Sequence, residues 1–115
     1  MARFQQLRVW HLAQEILAET FEHLKSLCGE RALRDQMKRA AISMVSNIAE
    51  GSERTTDGEF RHFLTIARAS AGELAAQYHI IRVLKLLGDT AVDAILDRID
   101  HCIRMLSKFI QRLSG

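Results

Sequence analysis

The sequence predicts an all-α protein folded as an antiparallel up-and-down four-helix bundle. Apolar residues recur at three- and four-residue steps along four segments, which is the pattern of helices with one buried face. The chain has no proline, so glycine and capping residues must separate these segments. Its 115 residues, 48% hydrophobic and 26% charged, suit a single packed core. We therefore expect residues 1–115 to form one domain.

The first two helices are separated by a glycine. The first carries apolar residues from Leu7 to Leu24 and ends at Cys28-Gly29-Glu30. The second runs from about Arg31 to Glu50, and Gly51 stands where a C-terminal cap belongs. The residues expected on their core faces are Leu7, Trp10, Ala13, Leu17, Phe21 and Leu24, then Leu33, Met37, Ala40, Ala41, Met44 and Ile48.

The third helix begins at Thr56-Asp57-Gly58-Glu59, a capping-box pattern in which the Thr56 hydroxyl accepts from the Glu59 amide and the Glu59 side chain reaches back. It closes at Leu87-Gly88-Asp89, and Asp89 or Thr90 caps the fourth helix. The expected core faces are Phe60, Phe63, Leu64, Ala67, Ala71, Leu74, Tyr78 and Ile81, then Val92, Ile95, Leu96, Ile99, Ile103, Leu106, Ile110 and Leu113. Short connections between four amphipathic helices favour the antiparallel bundle.

Helices one to three also carry apolar residues to the side of these core faces. On helix one they are Val9, Leu12 and Ile16. On helices two and three we predict that such residues form a subunit interface, made of Ile42, Val45, Ala49, Ile66 and Ile80. An irregular bundle that buries wide faces would explain the same pattern, and helical periodicity does not separate the two explanations.

The segment RAAISMVSNIAEGSER from Arg39 to Arg54, with FRHFLTIARAS from Phe60 to Ser70, is distinctive. It resembles the bacterial four-helix-bundle family that includes the proteins encoded in intervening sequences of large-subunit ribosomal RNA genes. The resemblance implies a homopentamer of four-helix bundles. A related branch is a basic accessory protein that binds nucleic acid and reverse transcriptase in diversity-generating retroelements, so RNA binding enters here by analogy. This chain departs from the family pattern in lacking a proline before helix two.

Two groups of polar residues are candidate sites. The first is a polar network at the end of helix two, with a solvent-facing binding site as the alternative use of the same residues: Arg39, Asn47, Glu50, Arg54 and Arg68. The second is a set of candidate nucleic-acid contacts: Arg31, Arg34, Lys38, Arg61 and Arg68. The cations near the end of helix four have a simpler explanation, because positive charge there is favoured by the helix dipole.

Catalytic patterns are not found in the sequence. No serine or cysteine motif supplies a nucleophile with a base, and the glycines form no phosphate-binding loop. The Glu15, Glu19 and His23 ladder has metal-like spacing but is typical of a solvated outer face, and the two cysteines, Cys28 and Cys102, fit no zinc pattern. We expect no enzyme, no catalytic residue, no metal and no cofactor.

The remaining expectations concern location and partners. No apolar run reaches the roughly 20 residues of a membrane helix, and the N-terminus lacks a signal-peptide core, which favours the cytoplasm and no membrane partner. The formal net charge of +2 permits contact with nucleic acid without requiring it. The leading hypothesis is a non-enzymatic oligomeric scaffold or adaptor whose partner is RNA or a nucleic-acid-associated protein. The alternative is a purely structural protein assembly without nucleic acid.

Overall fold

The computed structural model describes residues 7–27 and 29–114 and confirms the predicted four-helix bundle. Its helices are α1 (Arg8–Lys25), α2 (Arg31–Ser52), α3 (Asp57–Val83) and α4 (Asp89–Ser114). Helix α1 packs on α2 and α4, and α3 packs on the same two helices, so α1 and α3 lie diagonally opposite. The longest dimension is 43 Å. None of the helices within the described residues combines the length and hydropathy needed to span a bilayer.

The core confirms most of the predicted faces of α2 and α3 and half of that of α4, and it corrects that of α1. The buried face of α1 consists of Val9, Ala13, Ile16, Thr20 and Leu24. Val9 and Ile16, predicted to flank the core, are therefore part of it, whereas Trp10, Leu17 and Phe21 are only partly buried. Two adjacent apolar stripes of equal period exist on this helix, and only packing against α2 and α4 selects between them.

Gly51 has a different role from the predicted one. Helix α2 continues to Ser52, so Gly51 lies inside the helix, where it is buried. A Cβ atom at this position would lie 2.8 Å from Cβ of Phe63 and 3.0 Å from Cδ1 of Phe60. Gly51 therefore permits the close approach of α2 and α3 and does not serve as a left-handed cap.

The start of α3 confirms the predicted capping residue. The Thr56 hydroxyl accepts from the Glu59 amide at 3.1 Å and donates to the Glu59 carboxylate at 3.0 Å. Helix α3 ends at Val83, four residues before the predicted Leu87. Lys85 adopts a left-handed φ of 56°, and the Lys85 and Leu86 amides donate to the carbonyls of Arg82 and Ile81. This is a Schellman cap in which lysine replaces the usual glycine, so no glycine in the sequence marks the end of α3.

We expect Gly51→Ala to lower the free energy of unfolding by about 1–3 kcal/mol, because the new methyl group overlaps the stem of Phe63 and the helices must separate. Urea unfolding followed by circular dichroism measures the change. Gly72→Ala is the matched control: Gly72 is exposed in the middle of α3 with nothing within 4 Å, and alanine there should stabilise the helix by about 0.5–1 kcal/mol. Equal effects of the two substitutions would contradict the packing role of Gly51.

Candidate functional site

The predicted interface residues differ in exposure. Ile42 is 48% exposed and Ile80 is 45% exposed, whereas Val45, Ala49 and Ile66 are half-buried. Val45 packs against the core of its own chain. The structure adds two exposed residues at the end of α3 that the sequence prediction missed, Val83 and Leu84. We call Ile42, Ile80, Val83 and Leu84 the α2–α3 apolar set.

The predicted polar network at the end of α2 is divided into separate contacts. Glu50 and Arg54 form an ion pair, and the Arg54 guanidinium lies 4.7 Å from the centre of the Phe63 ring. Asn47 Nδ2 donates to the Ser43 carbonyl at 2.8 Å, and the Ser43 hydroxyl hydrogen-bonds with that of Ser70 at 2.8 Å. Of these contacts, the Ser43–Ser70 hydrogen bond and the Arg54–Phe63 ring contact join α2 and the turn after it to α3.

The other two residues of that group lie apart from it. Arg68 donates to the Ser107 hydroxyl on α4 at 3.2 Å. Arg39 precedes Glu50 by three turns of α2, about 16 Å along the helix. The structure thus brings Glu50 and Arg54 together, places Asn47 on the α3 side of the same helix end, and leaves Arg39 and Arg68 outside.

Most of the predicted nucleic-acid contacts are engaged within the chain. The Arg34 guanidinium donates to the carbonyls of Leu27 and Gly29, at 3.1 and 3.3 Å. Arg61 donates to the Leu113 carbonyl at 3.1 Å. The Lys38 ammonium lies 5.7 Å from the Phe21 ring centre, and Arg31 is exposed. Together with Arg68, these side chains mainly tie helices and helix ends to one another.

A chain of polar groups runs from the buried hydroxyl of Tyr78 on α3, along α1, to ion pairs with α4 at the surface. The Tyr78 hydroxyl donates to Thr20 Oγ1 at 3.0 Å and hydrogen-bonds with His23 Nδ1 at 2.8 Å. His23 Nε2 lies 3.8 Å from a Glu19 carboxylate oxygen. Arg98 of α4 pairs with Glu19 and, at 3.1 Å, with Glu15.

These contacts support only part of the prediction that the Glu15, Glu19 and His23 ladder is a solvated outer face: the Glu15 side chain is 64% exposed, whereas Glu19 and His23 are partly covered. The ladder faces α3 and α4, because Tyr78 and Arg98 supply its partners. The single positive charge of Arg98 is shared between the two carboxylates and compensates part of their negative charge. Among the described residues, no group of three or more histidine, cysteine, aspartate or glutamate side chains is arranged to hold a metal ion.

Cys102, the cysteine that lies within the described residues, is a core residue. Cys102 is fully buried, and burial raises the pKa of its thiol to about 12. The thiol is therefore protonated at neutral pH and is not an activated nucleophile. Cys28 lies outside the described residues.

A groove with a volume of about 610 Å³ lies between α3 and α4. Its charged lining includes Asp93, Asp97, Asp100 and His79. Arg82 in the same groove pairs with Asp93 and with Asp89. The groove therefore carries an ion-pair network between the end of α3 and the start of α4.

Tyr78 is the only tyrosine of the chain, so its ionisation can be followed by phenolate absorbance. Burial is the largest cause that raises its pKa from 10.0 to about 12, while the hydrogen bond with Thr20 lowers it. Because the folded pKa is raised, the stabilisation is complete below pH 10.0 and is lost as pH rises towards 12. We expect the phenol of the folded protein to titrate near 12 and that of the urea-unfolded protein near 10.0. Identical midpoints would contradict the buried polar chain.

The comparisons with known proteins agree with this architecture. No curated protein matches the sequence at a significant level. The model of one protein family, described as 23S rRNA-intervening sequence protein, matches residues 5–108. This match spans all of α1, α2 and α3 and most of α4, including the Gly51 contact and the seam around Asn47. The chain therefore belongs to the 23S rRNA-intervening sequence protein family.

Proposed function

We propose that this chain is a non-enzymatic scaffold or adaptor that assembles into a homo-oligomer in the cytoplasm and carries RNA or a nucleic-acid-associated protein as partner. The observation that supports assembly is the α2–α3 apolar set. Four large hydrophobic side chains are between 45% and 77% exposed on a small domain whose core is otherwise complete. Covering them in a subunit contact would remove apolar surface from water at about 25 cal/mol per Å².

The proposed number of subunits is five. That number comes from the family resemblance, because neither helical periodicity nor exposure specifies a count. A ring requires two different surfaces of the chain to meet, so that each subunit contacts two neighbours. A ring also repeats every surface charge of one chain around its circumference, so weak contacts with a long partner can add up.

The second candidate function is a purely structural assembly that contacts other proteins only. One observation favours it: Arg34, Arg61 and Arg68 donate to acceptors within the chain. These guanidinium groups are therefore not free to rearrange around a phosphate without giving up contacts that hold helices together. Retention on immobilised RNA at low salt separates this function from the first.

We expect Ile42→Glu and Ile80→Glu to dissociate the oligomer into chains of 13.1 kDa while keeping the helical content. A carboxylate desolvated in a subunit contact costs several kcal/mol, but on a solvated helix face it costs little. Light scattering measures the mass, and circular dichroism measures the helical content. Gln111→Glu is the control, because it places the same side chain on the exposed surface of α4.

Two results would contradict this proposal. Wild-type protein with the mass of a single chain at micromolar concentration would exclude stable assembly. Full assembly of both isoleucine variants would place the subunit contact away from the α2–α3 apolar set.

A further inference from the structure

The start of α1 and the end of α4 form a groove with basic walls. The groove has a volume of about 400 Å³, and its charged lining residues are Arg8, Lys108 and Arg112. A second groove of about 350 Å³ adjoins it and shares Met105 and Lys108 with the first. Arg104 and His101 line this second groove. The two grooves form one continuous surface, which we call the α1–α4 edge.

The spacing of the basic residues on α4 produces a row. Positions 101, 104, 108 and 112 follow one another at steps of three or four, so they share one side of the helix. The row extends over about 16 Å, at one basic residue per turn of about 5.4 Å. Arg8 adds a cation from the neighbouring helix. A row of this kind suits a flexible chain of regularly spaced negative charges.

Helix stability explains only part of this row. Cations near the C-terminus of α4 are favoured by its dipole. Arg8, however, is the first residue of α1, where a cation opposes the dipole, and the first turn of α1 contains no acidic residue to compensate it. Arg8 therefore adds positive charge beside Lys108 and Arg112, although its charge lowers the stability of helix α1.

Few carboxylates neutralise the α1–α4 edge. Within the described residues, Arg104 is the one member of the row with a carboxylate partner, Asp100 at 3.4 Å, and both side chains of that pair are 65% exposed. Further along α1, Glu15 and Glu19 are paired with Arg98. Lys108 and Arg112 are exposed, and the Arg112 guanidinium lies 5.2 Å from the centre of the Phe109 ring.

We propose that the α1–α4 edge binds the sugar-phosphate backbone of a single-stranded nucleic acid, with Arg8, Arg104, Lys108 and Arg112 as the contacting cations. The inference deepens the proposed function by naming the surface and the partner class. This surface differs from the candidate nucleic-acid contacts on α2, because there the Arg34 guanidinium already donates to backbone carbonyls. The α1–α4 edge also lies away from the exposed Ile42 and Ile80 on α2 and α3, so the apolar residues proposed for assembly are not part of it.

The test is fluorescence anisotropy of a fluorescein-labelled oligouridylate at ~50 to ~200 mM KCl. The salt exponent is the slope with which log affinity falls against log salt concentration, and each phosphate contact with a single strand contributes about 0.7 to it. Relative to ~1 M salt, one contact therefore contributes about 0.9 log units of affinity at ~50 mM. We therefore expect Lys108→Gln combined with Arg112→Gln to weaken binding about 60-fold at ~50 mM and to lower the salt exponent by about 1.4. Arg8→Gln, on the other helix, should weaken binding about eightfold.

Lys25→Gln combined with Lys85→Gln is the matched control. Both double variants lower the formal net charge from +2 to 0, but Lys25 and Lys85 lie at the opposite end of the bundle. We expect the control to bind within about twofold of wild type, since only local contacts release counterions. Circular dichroism of every variant checks that the fold is retained.

Several results would overturn the inference: no binding of wild-type protein at low salt, equal losses in the two double variants, or an unchanged Lys108/Arg112 variant. A larger loss in Arg31→Gln combined with Lys38→Gln would place the contact on α2. Oligoglutamate that competes as well as oligouridylate would indicate an acidic protein as partner. Light scattering on the same samples separates assembly from nucleic-acid binding. A monomer that binds the probe contradicts assembly but not this inference, and an oligomer that does not bind contradicts this inference and leaves assembly standing.

Discussion

Helices α2 and α3 approach each other closely at one end because residue 51 has no side chain. The space that a Cβ atom would occupy is filled by Phe60 and Phe63 of α3. This contact fixes how α2 and α3 pack immediately after the turn that joins them, and the Ser43–Ser70 hydrogen bond continues the same seam. Together these contacts restrict rotation of α2 about its own axis. They therefore restrict the directions in which the other residues of α2 face. The exposure of Ile42 is one result.

The hydrogen bonds of the buried Tyr78 hydroxyl add a second constraint on the other side of the bundle. A tyrosine hydroxyl in an apolar core must be hydrogen-bonded, because an unpaired polar group there costs free energy. Tyr78 of α3 meets this requirement only when Thr20 and His23 of the diagonal helix α1 face it. Glu19 then lies toward α4 and pairs with Arg98. An alternative rotation of α1 would leave the Tyr78 hydroxyl without these partners, which explains why one of its two apolar stripes is selected.

These two constraints leave two surfaces with different chemistry. Exposed apolar side chains occur on α2 and at the end of α3, whereas cations line the groove between α1 and α4. Keeping the apolar side chains and the cations on separate surfaces suits a protein that assembles. Charged groups in a subunit contact would have to be desolvated, which would weaken the contact. Apolar groups, in turn, contribute little to phosphate binding. The acidic groove between α3 and α4, where Arg82 pairs with Asp89 and Asp93, lies between the two.

The sequence by itself determined the four helices, most of the core faces of α2 and α3, half of that of α4, and the Thr56 cap, because each depends on local periodicity or on residues within one turn. Only the tertiary structure decided which stripe of α1 is buried, that Gly51 is a packing residue, and that Arg34 and Arg61 bond to backbone carbonyls. It also brought Arg8 beside Lys108, a hundred residues later in the chain. These outcomes depend on contacts between helices, and a helical period specifies which residues share a face but not which neighbour that face meets.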